Sequence, residues 1–451
     1  MFMAAGSMTQ PPFLKKILFF SFPLILSSML QLLFNAADVV VMGRFAGSQA
    51  LAAVSLTGSL IGLITNLFIG LSVGTNVVAA QFLGAHDDDA VEKTVSTSIS
   101  ISFLCGIAMC LIGQLVAKGM LAAMSAPADV VGLSTLYLRI YFCGMPASML
   151  YNFGSALLRA AGDTKRPLYC LSLSGALNVV LNLVFVIAFK MSVAGVALAT
   201  VISQTVSCVL ILWLLSRAGG PLHLSFRQLR IHRPLLLQIL RIGLPAGIQS
   251  TIFSLSNVVI QSALNSFGSV IVAGNGAAGN IEGFIYVSMN AFCQAGVTFV
   301  SQNRGARQPQ NIRRILVLTE CCVIAVGSVL CVLVWTFSAP LLGIYSTDAA
   351  VIAAGQQRMV IICHTYVLCG VMDVLVGTLR GIGYSFVPMV LCLTGSCAVR
   401  LLWIATVFAA NRRIEILYMC YPVGWIITIL MLAIFFVYAA RNAKKAVPNS
   451  R

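Results

Sequence analysis

Only 12 of the 451 residues are Asp or Glu, and four of them, Asp38, Glu282, Glu320 and Asp373, stand inside long apolar stretches. A carboxylate at the centre of a membrane-spanning helix costs about 2.5–3.5 kcal/mol, so it is retained where it has a partner or a task. Asp38 has polar neighbours on its own helix. Gln31, Asn35 and Asp38 stand at i, i+4 and i+7 and make one stripe on an otherwise apolar surface. Asn178 and Asn182 share one face of a later stretch, and Thr200 lies at comparable depth in the next. Counting about 1.5 Å per residue brings Asp38, Asn182 and Thr200 to the same level, in the outer half of the membrane. One carboxylate with amide and hydroxyl oxygens suits a small hard cation such as Na+, and the same carboxylate can instead accept a proton. Interhelical hydrogen bonding that merely holds the bundle together is the structural alternative.

The second half of the chain adds Asp373 and Glu282, and three arginines stand within helices, Arg139 in the first half and Arg358 and Arg400 in the second, of which Arg400 is the deepest. A buried arginine is expected to neutralise a buried acid, with Asp373 or Glu282 the candidates, as a structural or a functional pair; depth alone does not decide which arginine meets which acid. Glu320 lies close to a cytoplasmic end and is expected to reach water. Pro23 precedes Asp38 by fifteen residues on the same helix, where it removes a backbone hydrogen bond and permits a bend, static or moving.

The elements that must carry these groups follow from composition. The chain is 59% hydrophobic and 9% charged, whereas soluble domains carry about 25% charged residues. Apolar stretches long enough to cross a hydrocarbon core, roughly 20 helical residues each, recur twelve times, at 15–42, 52–80, 94–117, 131–158, 167–189, 193–216, 236–265, 277–302, 315–341, 352–379, 388–410 and 416–440. They are uniformly apolar and lack the alternation of a barrel strand, so the fold class is an all-α polytopic membrane protein. The net charge of +16 is concentrated in the loops and ends assigned to the cytoplasm, including Lys15, Lys16, Lys165, Arg166 and the run from Arg217 to Arg241. This bias places both termini inside and argues against a nucleic-acid partner. No cleavable signal is evident, because the apolar stretch after Lys15-Lys16 runs far beyond a signal core. The 14 cysteines show no metal-like spacing and read as small apolar residues. His86-Asp87-Asp88-Asp89 is expected to supply negative charge at a helix start.

The chain is also a duplication. Gln81-x-x-Gly84-Ala85 recurs 221 residues on as Gln302-x-x-Gly305-Ala306, and Arg159-x-x-Gly162-x4-Pro167 as Arg380-x-x-Gly383-x4-Pro388, while Pro23 and Pro245 match within one residue. Six helices per copy return the chain to its starting side, so the repeats are parallel, which is a transporter's geometry, although a channel or a membrane enzyme can also be duplicated. The domains so read are an N-terminal lobe at 1–216, a basic cytoplasmic linker at 217–235, a C-terminal lobe at 236–440 and a cytoplasmic tail at 441–451.

The residues resemble the multidrug and toxic compound extrusion (MATE) family over nearly the whole chain. The match rests on Pro23 with Asp38-x4-Gly43, on Ala50-Leu51-Ala52-Ala53, on Leu-Arg-x-x-Gly at 158–162 and 379–383, on Gly195-Val-Ala-Leu-Ala-Thr200 and on the six-plus-six repeat. The resemblance implies a V-shaped transporter that expels organic, often cationic, compounds in exchange for H+ or Na+, with no organic cofactor. It implies a small-molecule substrate and a monomer in a bacterial plasma membrane. It places cation-site roles on Asp38, Asn178, Asn182 and Thr200, substrate contact on Gln31 with Asn35 beside it, and a hinge at Pro23. Position 182 is commonly aspartate in the family pattern and asparagine in this chain, which weakens attraction for a metal ion more than it impairs protonation of Asp38. The acid that some relatives carry after the proline of helix seven is absent from Pro245-Ala-Gly-Ile-Gln-Ser-Thr-Ile-Phe253, so a coupling site in the second lobe must use Asp373 or Glu282. The alternatives are a flippase for lipid-linked sugars and, from a different class, an intramembrane enzyme. The latter is disfavoured because the helices hold no paired acids and no nucleophile with its base, and His364 is the one histidine within them.

Overall fold

Backbone amides have no water to bond in hydrocarbon, so each apolar stretch closes its own hydrogen bonds as a helix. The computed structural model describes residues 7–123 and 128–445; the last part of the tail, 446–451, lies outside them. Among the described residues ten helices are long and apolar enough to cross a membrane, and two bent pairs bring the total to twelve. The first half carries α1 (Phe13–Val41), α2 (Ser48–Ala85), α3 (Asp88–Ala123), α4 (Ala128–Cys143), α5 (Met145–Ala160), α6 (Lys165–Leu183) and α7 (Ser192–Ser216). The second carries α8 (Arg233–Asn265), α9 (Ser269–Gly305), α10 (Pro309–Thr336), the short α11 (Ser338–Gly343), α12 (Ala349–Thr365), α13 (Val367–Ile382), α14 (Phe386–Cys392), α15 (Val399–Trp403) and α16 (Ile414–Lys445). Helices α4 and α5 form one span bent by 47°, where Pro146 opens α5, and α12 and α13 form another bent by 45°. Wide π-type turns join α14 and α15 into a single span, Phe386–Phe408.

The repeated Leu-Arg-x-x-Gly motif has a local cause. Gly162 and Gly383 both take left-handed backbone, with φ of 88° and 99°. In the first copy the Gly162 amide donates to the Arg159 carbonyl at 2.9 Å and the Asp163 amide to the Leu158 carbonyl at 2.9 Å. In the second, Gly383 and Tyr384 repeat this onto Arg380 and Leu379 at 2.8 and 2.9 Å. A side chain at either glycine would strain that helix end. The acidic run serves a helix start as expected: Asp88 and Asp89 occupy the first turn of α3, and the Asp87 carboxylate accepts from the Ala90 amide at 3.1 Å.

By packing, the chain forms two units. One comprises Phe22–Gly247; the other takes Met8–Ser21 together with the chain from Ile248 onward. Packing therefore changes hands inside α1 and α8, within two residues of Pro23 and Pro245, whereas the two sequence copies join in the linker. In the first unit the linker is docked: Leu222 and Leu224 are buried with α3, α5 and α7 residues, and the Arg230 and His232 amides donate to Ser96 Oγ and Thr97 Oγ1 of α3 at 2.7 and 3.1 Å. In the second unit the Met8 and Thr9 carbonyls accept from Asn303 and Asn311, each at 3.1 Å, and Phe20 meets Phe299 edge-on at 5.7 Å.

Helices α2 and the start of α8 cross backbone to backbone in the first unit. A Cβ on Gly70 would lie 2.2 Å from the Gly247 nitrogen, and one on Gly74 would lie 2.3 Å from the Ile239 carbonyl oxygen. Gly243 and Gly247 press equally on Leu71 and Leu67. Each helix thus presents two glycines four residues apart, a small-residue face that exchanges side-chain volume for close van der Waals contact. Gly74→Ala should destabilise the protein by about 1–3 kcal/mol through overpacking against backbone. Gly62→Ala on the same helix, where a Cβ meets nothing within 4 Å, should not. Thermal unfolding in detergent checks this, and equal midpoints for the two variants would refute the crossing.

Candidate polar site of the first unit

Helices α1 and α6 meet through a glycine. A Cβ on Gly175 would fall 1.8 Å from the Phe34 ring, so the ring lies against bare backbone. Gly175, Asn178 and Asn182 stand at i, i+3 and i+7 of α6, while Phe34 and Asp38 stand at i and i+4 of α1, so the ring contact and the polar contact share one seam. The Asn182 Nδ2 group donates to the Asp38 carboxylate and, at 3.2 Å, to the Asn178 side-chain oxygen. Asn178 Nδ2 in turn reaches Thr200 Oγ1 on α7 at 3.4 Å, and Thr200 donates to the Val196 carbonyl at 2.9 Å. Asn182 is fully buried and Asn178 nearly so. The four residues that the sequence and the resemblance singled out therefore form one hydrogen-bonded chain, Asp38–Asn182–Asn178–Thr200.

One oxygen of that chain is unspent. The buried Asn182 Oδ1 accepts no hydrogen bond among the described residues, although a buried amide oxygen ordinarily finds a donor. With Asp38 it offers a carboxylate and a carbonyl-type oxygen, the donor set of a small hard cation, and the Asp38 carboxylate can equally take a proton. Tyr137 and Tyr141 of α4, stacked at 6.0 Å, lie close enough to feel the Asp38 charge. Gln31 and Asn35 stay out of the cluster: both are exposed and hydrogen-bond to none of the described side chains.

In the second unit one buried arginine meets a buried acid, and it is Arg358 rather than the deeper Arg400. Glu282 of α9 is held by Arg358 of α12, with Nε to Oε1 at 2.9 Å and Nη2 to Oε2 at 2.7 Å, and Arg358 Nη1 donates to Asn275 at 2.7 Å. Arg400 therefore does not neutralise Glu282, because the parallel fork of Arg358 fills both carboxylate oxygens. Nor does it pair with Asp373: among the described residues no ion pair joins the two. Glu320 does not reach water: both its oxygens are buried and unpartnered among the described residues. Arg139 is exposed.

Sequence reasoning did not find the Phe34–Gly175 contact or the two tyrosines. The spacing of Gly175 on the face of Asn178 and Asn182 was a readable signal for the first. The Glu282–Arg358 pair joins residues 76 apart in the chain and left no periodic trace.

Comparison with known proteins agrees with this fold. A family model described as MatE matches residues 23–184 and again residues 245–404, once in each half. The chain is 27% identical over 94% of its length, and 93% of the relative's, to a probable multidrug resistance protein, YoeA, of Bacillus subtilis. It is 28% identical over 86% of its length, and 87% of the relative's, to a second such protein of that organism, YpnP. A multidrug resistance MATE transporter of the MOP superfamily, solved in an outward-facing conformation, superposes with a TM-score of 0.91 at 20% identity, covering 99% of this chain and 100% of its own. The chain belongs to the MatE family and is a multi-pass membrane transporter of small molecules, not an enzyme.

Gly175→Ala should cost about 1–3 kcal/mol by driving a methyl into the Phe34 ring. Phe34→Ala in the same chain should relieve that clash, giving a coupling of about 0.5–3 kcal/mol between the two sites. A double-mutant cycle on thermal unfolding measures it; additive losses would mean that α1 and α6 do not meet on this seam.

Proposed function

We propose that this transporter exports organic, often cationic, solutes by H+- or Na+-coupled antiport with alternating access, the coupling ion binding at Asp38. The observation that carries the reading is the buried Asn182 oxygen left without a donor beside the one carboxylate of the first unit's polar chain. An arriving Na+ would take its oxygens from Asp38, Asn182, Asn178 and Thr200. An arriving proton would instead remove the Asp38 charge, and with it the attraction that holds Asn182 Nδ2. Either event changes the α1–α6 seam.

Helix α1 is the element suited to spread that change, since it belongs to one packing unit before Pro23 and to the other after it. The missing backbone donor at Pro23 lets such a helix bend, which makes Pro23 the hinge in this reading. The driving force is ample. One charge moved across 100 mV is worth about 2.3 kcal/mol, about fifty-fold in concentration at balance. Asp373, which forms no ion pair among the described residues, is the candidate for a second coupling group, while Glu282 is engaged by Arg358. The setting proposed is a monomer in a bacterial plasma membrane, both termini cytoplasmic, working without an organic cofactor.

Uptake of a fluorescent cationic dye into inverted vesicles, under separately imposed H+ and Na+ gradients, tests this. The native chain should concentrate dye, and Asp38→Asn should abolish the gradient-driven part; a variant that transports as well as the native chain would remove Asp38 from coupling. Asn182→Asp, which doubles the formal charge of the site, should strengthen Na+ dependence. Identical transport at every Na+ concentration would exclude a metal ion at that position.

A further inference from the structure

In each half a charged group stands where the first and fifth spans meet, and the two groups are opposite in kind. In the first half these spans are α6 and α1, and the charge between them is the Asp38 carboxylate. In the second they are α14–α15 and α8, and the charge is the Arg400 guanidinium, whose one hydrogen bond among the described residues is a long one, Nη1 to Asn257 Oδ1 at 3.4 Å. Arg400 is 3% exposed and its Nε has no partner.

No acid among the described residues lies within ion-pair distance of Arg400. Glu282 is filled by Arg358, and Asp373 forms no ion pair with Arg400. The Tyr421 ring lies between the two arginines, 4.7 Å from the Arg400 guanidinium carbon and 5.6 Å from that of Arg358, and Phe253 flanks Arg400 at 5.8 Å. Arg358, Glu282 and Arg400 together thus carry one uncompensated positive charge in a nearly dry place. Aromatic faces recover only part of the hydration that such a charge has lost, and a buried cation ordinarily acquires an anion.

We infer that Arg400 is the anchor of an anion site in the second unit, which receives the carboxylate or phosphate group of a transported organic solute. The inference rests on the solute transport proposed above but not on the identity of its coupling ion. Asn257 is exposed while the guanidinium behind it is not, so an oxyanion enters by replacing the weakly held Asn257 amide. The planar fork then offers Nε and one Nη in parallel to two oxygens, the arrangement Arg358 already makes with Glu282. Arg400 stands eight residues from Phe408 and fourteen from Phe386 within its span, about 12 and 21 Å along a helix. That depth favours a solute over a lipid headgroup.

The test is equilibrium binding to the full chain in detergent, which does not depend on any gradient. The probes are a rhodamine bearing a free benzoate and its methyl ester, alike except for the negative charge. The native chain should bind the free acid at least tenfold more tightly than Arg400→Met does, with the ester bound equally by both. Arg400→Lys keeps a charge without the fork and should give the same contrast at smaller amplitude, which decides the matter if the methionine variant does not fold. Free-acid binding no tighter to the native chain than to both variants, absence of binding included, overturns the site. In nanodiscs, phosphatidylglycerol that abolishes free-acid binding assigns the guanidinium to a headgroup and overturns the solute reading; persistence of binding supports it. Failure of dye uptake under gradients would sink coupling at Asp38 and leave this binding contrast untouched.

Discussion

A hydrocarbon layer offers no hydrogen bond to a stray backbone amide or carbonyl and little solvation to a charge. The first consequence is the succession of helices, each closing its own backbone bonds. The second is that interruptions need local compensation. Gly162 and Gly383 end their helices in left-handed backbone and return the freed carbonyls to amides one turn away. The third is that a charged or amide side chain inside must be matched, and the few that are not matched mark places where something else can bind.

The two units resolve the same constraint differently. The first sets one acid deep within a span, Asp38, at the end of a chain of two amides and a hydroxyl, with one amide oxygen left unspent. The second contains a fully satisfied fork, Arg358 on Glu282, next to a guanidinium that rings flank and no acid balances. Duplication gave both halves the same helices and the same helix-ending motif; divergence at the facing positions of the first and fifth spans gave them opposite charge. A transporter built this way need not treat its two halves as equivalent.

Close approach is what makes these arrangements possible. Gly175 lets the Phe34 ring lie on α6, which sets the register in which Asp38 meets Asn182. Gly70, Gly74, Gly243 and Gly247 let α2 and α8 touch along their backbones, fixing the start of α8, as far as Gly247, to the first unit. In lipid, where apolar side chains gain nothing by leaving the solvent, such surface matching is a main source of helix association.

The sequence by itself determined the helices, their number and nearly their limits, because spanning length and apolar content are properties of contiguous residues. It determined the duplication, since Leu-Arg-x-x-Gly and the paired prolines repeat at a fixed shift. It also brought out Asp38, Asn178, Asn182 and Thr200, because polar residues at helical spacing stand out against an apolar background. Gln31 and Asn35 share the stripe of Asp38 but not its contacts, for periodicity gives a face and not a neighbour. Only the tertiary structure decided which charges meet. Glu282 chose Arg358 over Arg400, and Glu320 was sealed rather than wetted, because ion pairing and burial depend on which faces of distant helices pack together. Depth along one helix carries no information about that, and it is the packing that left Arg400 without an acid.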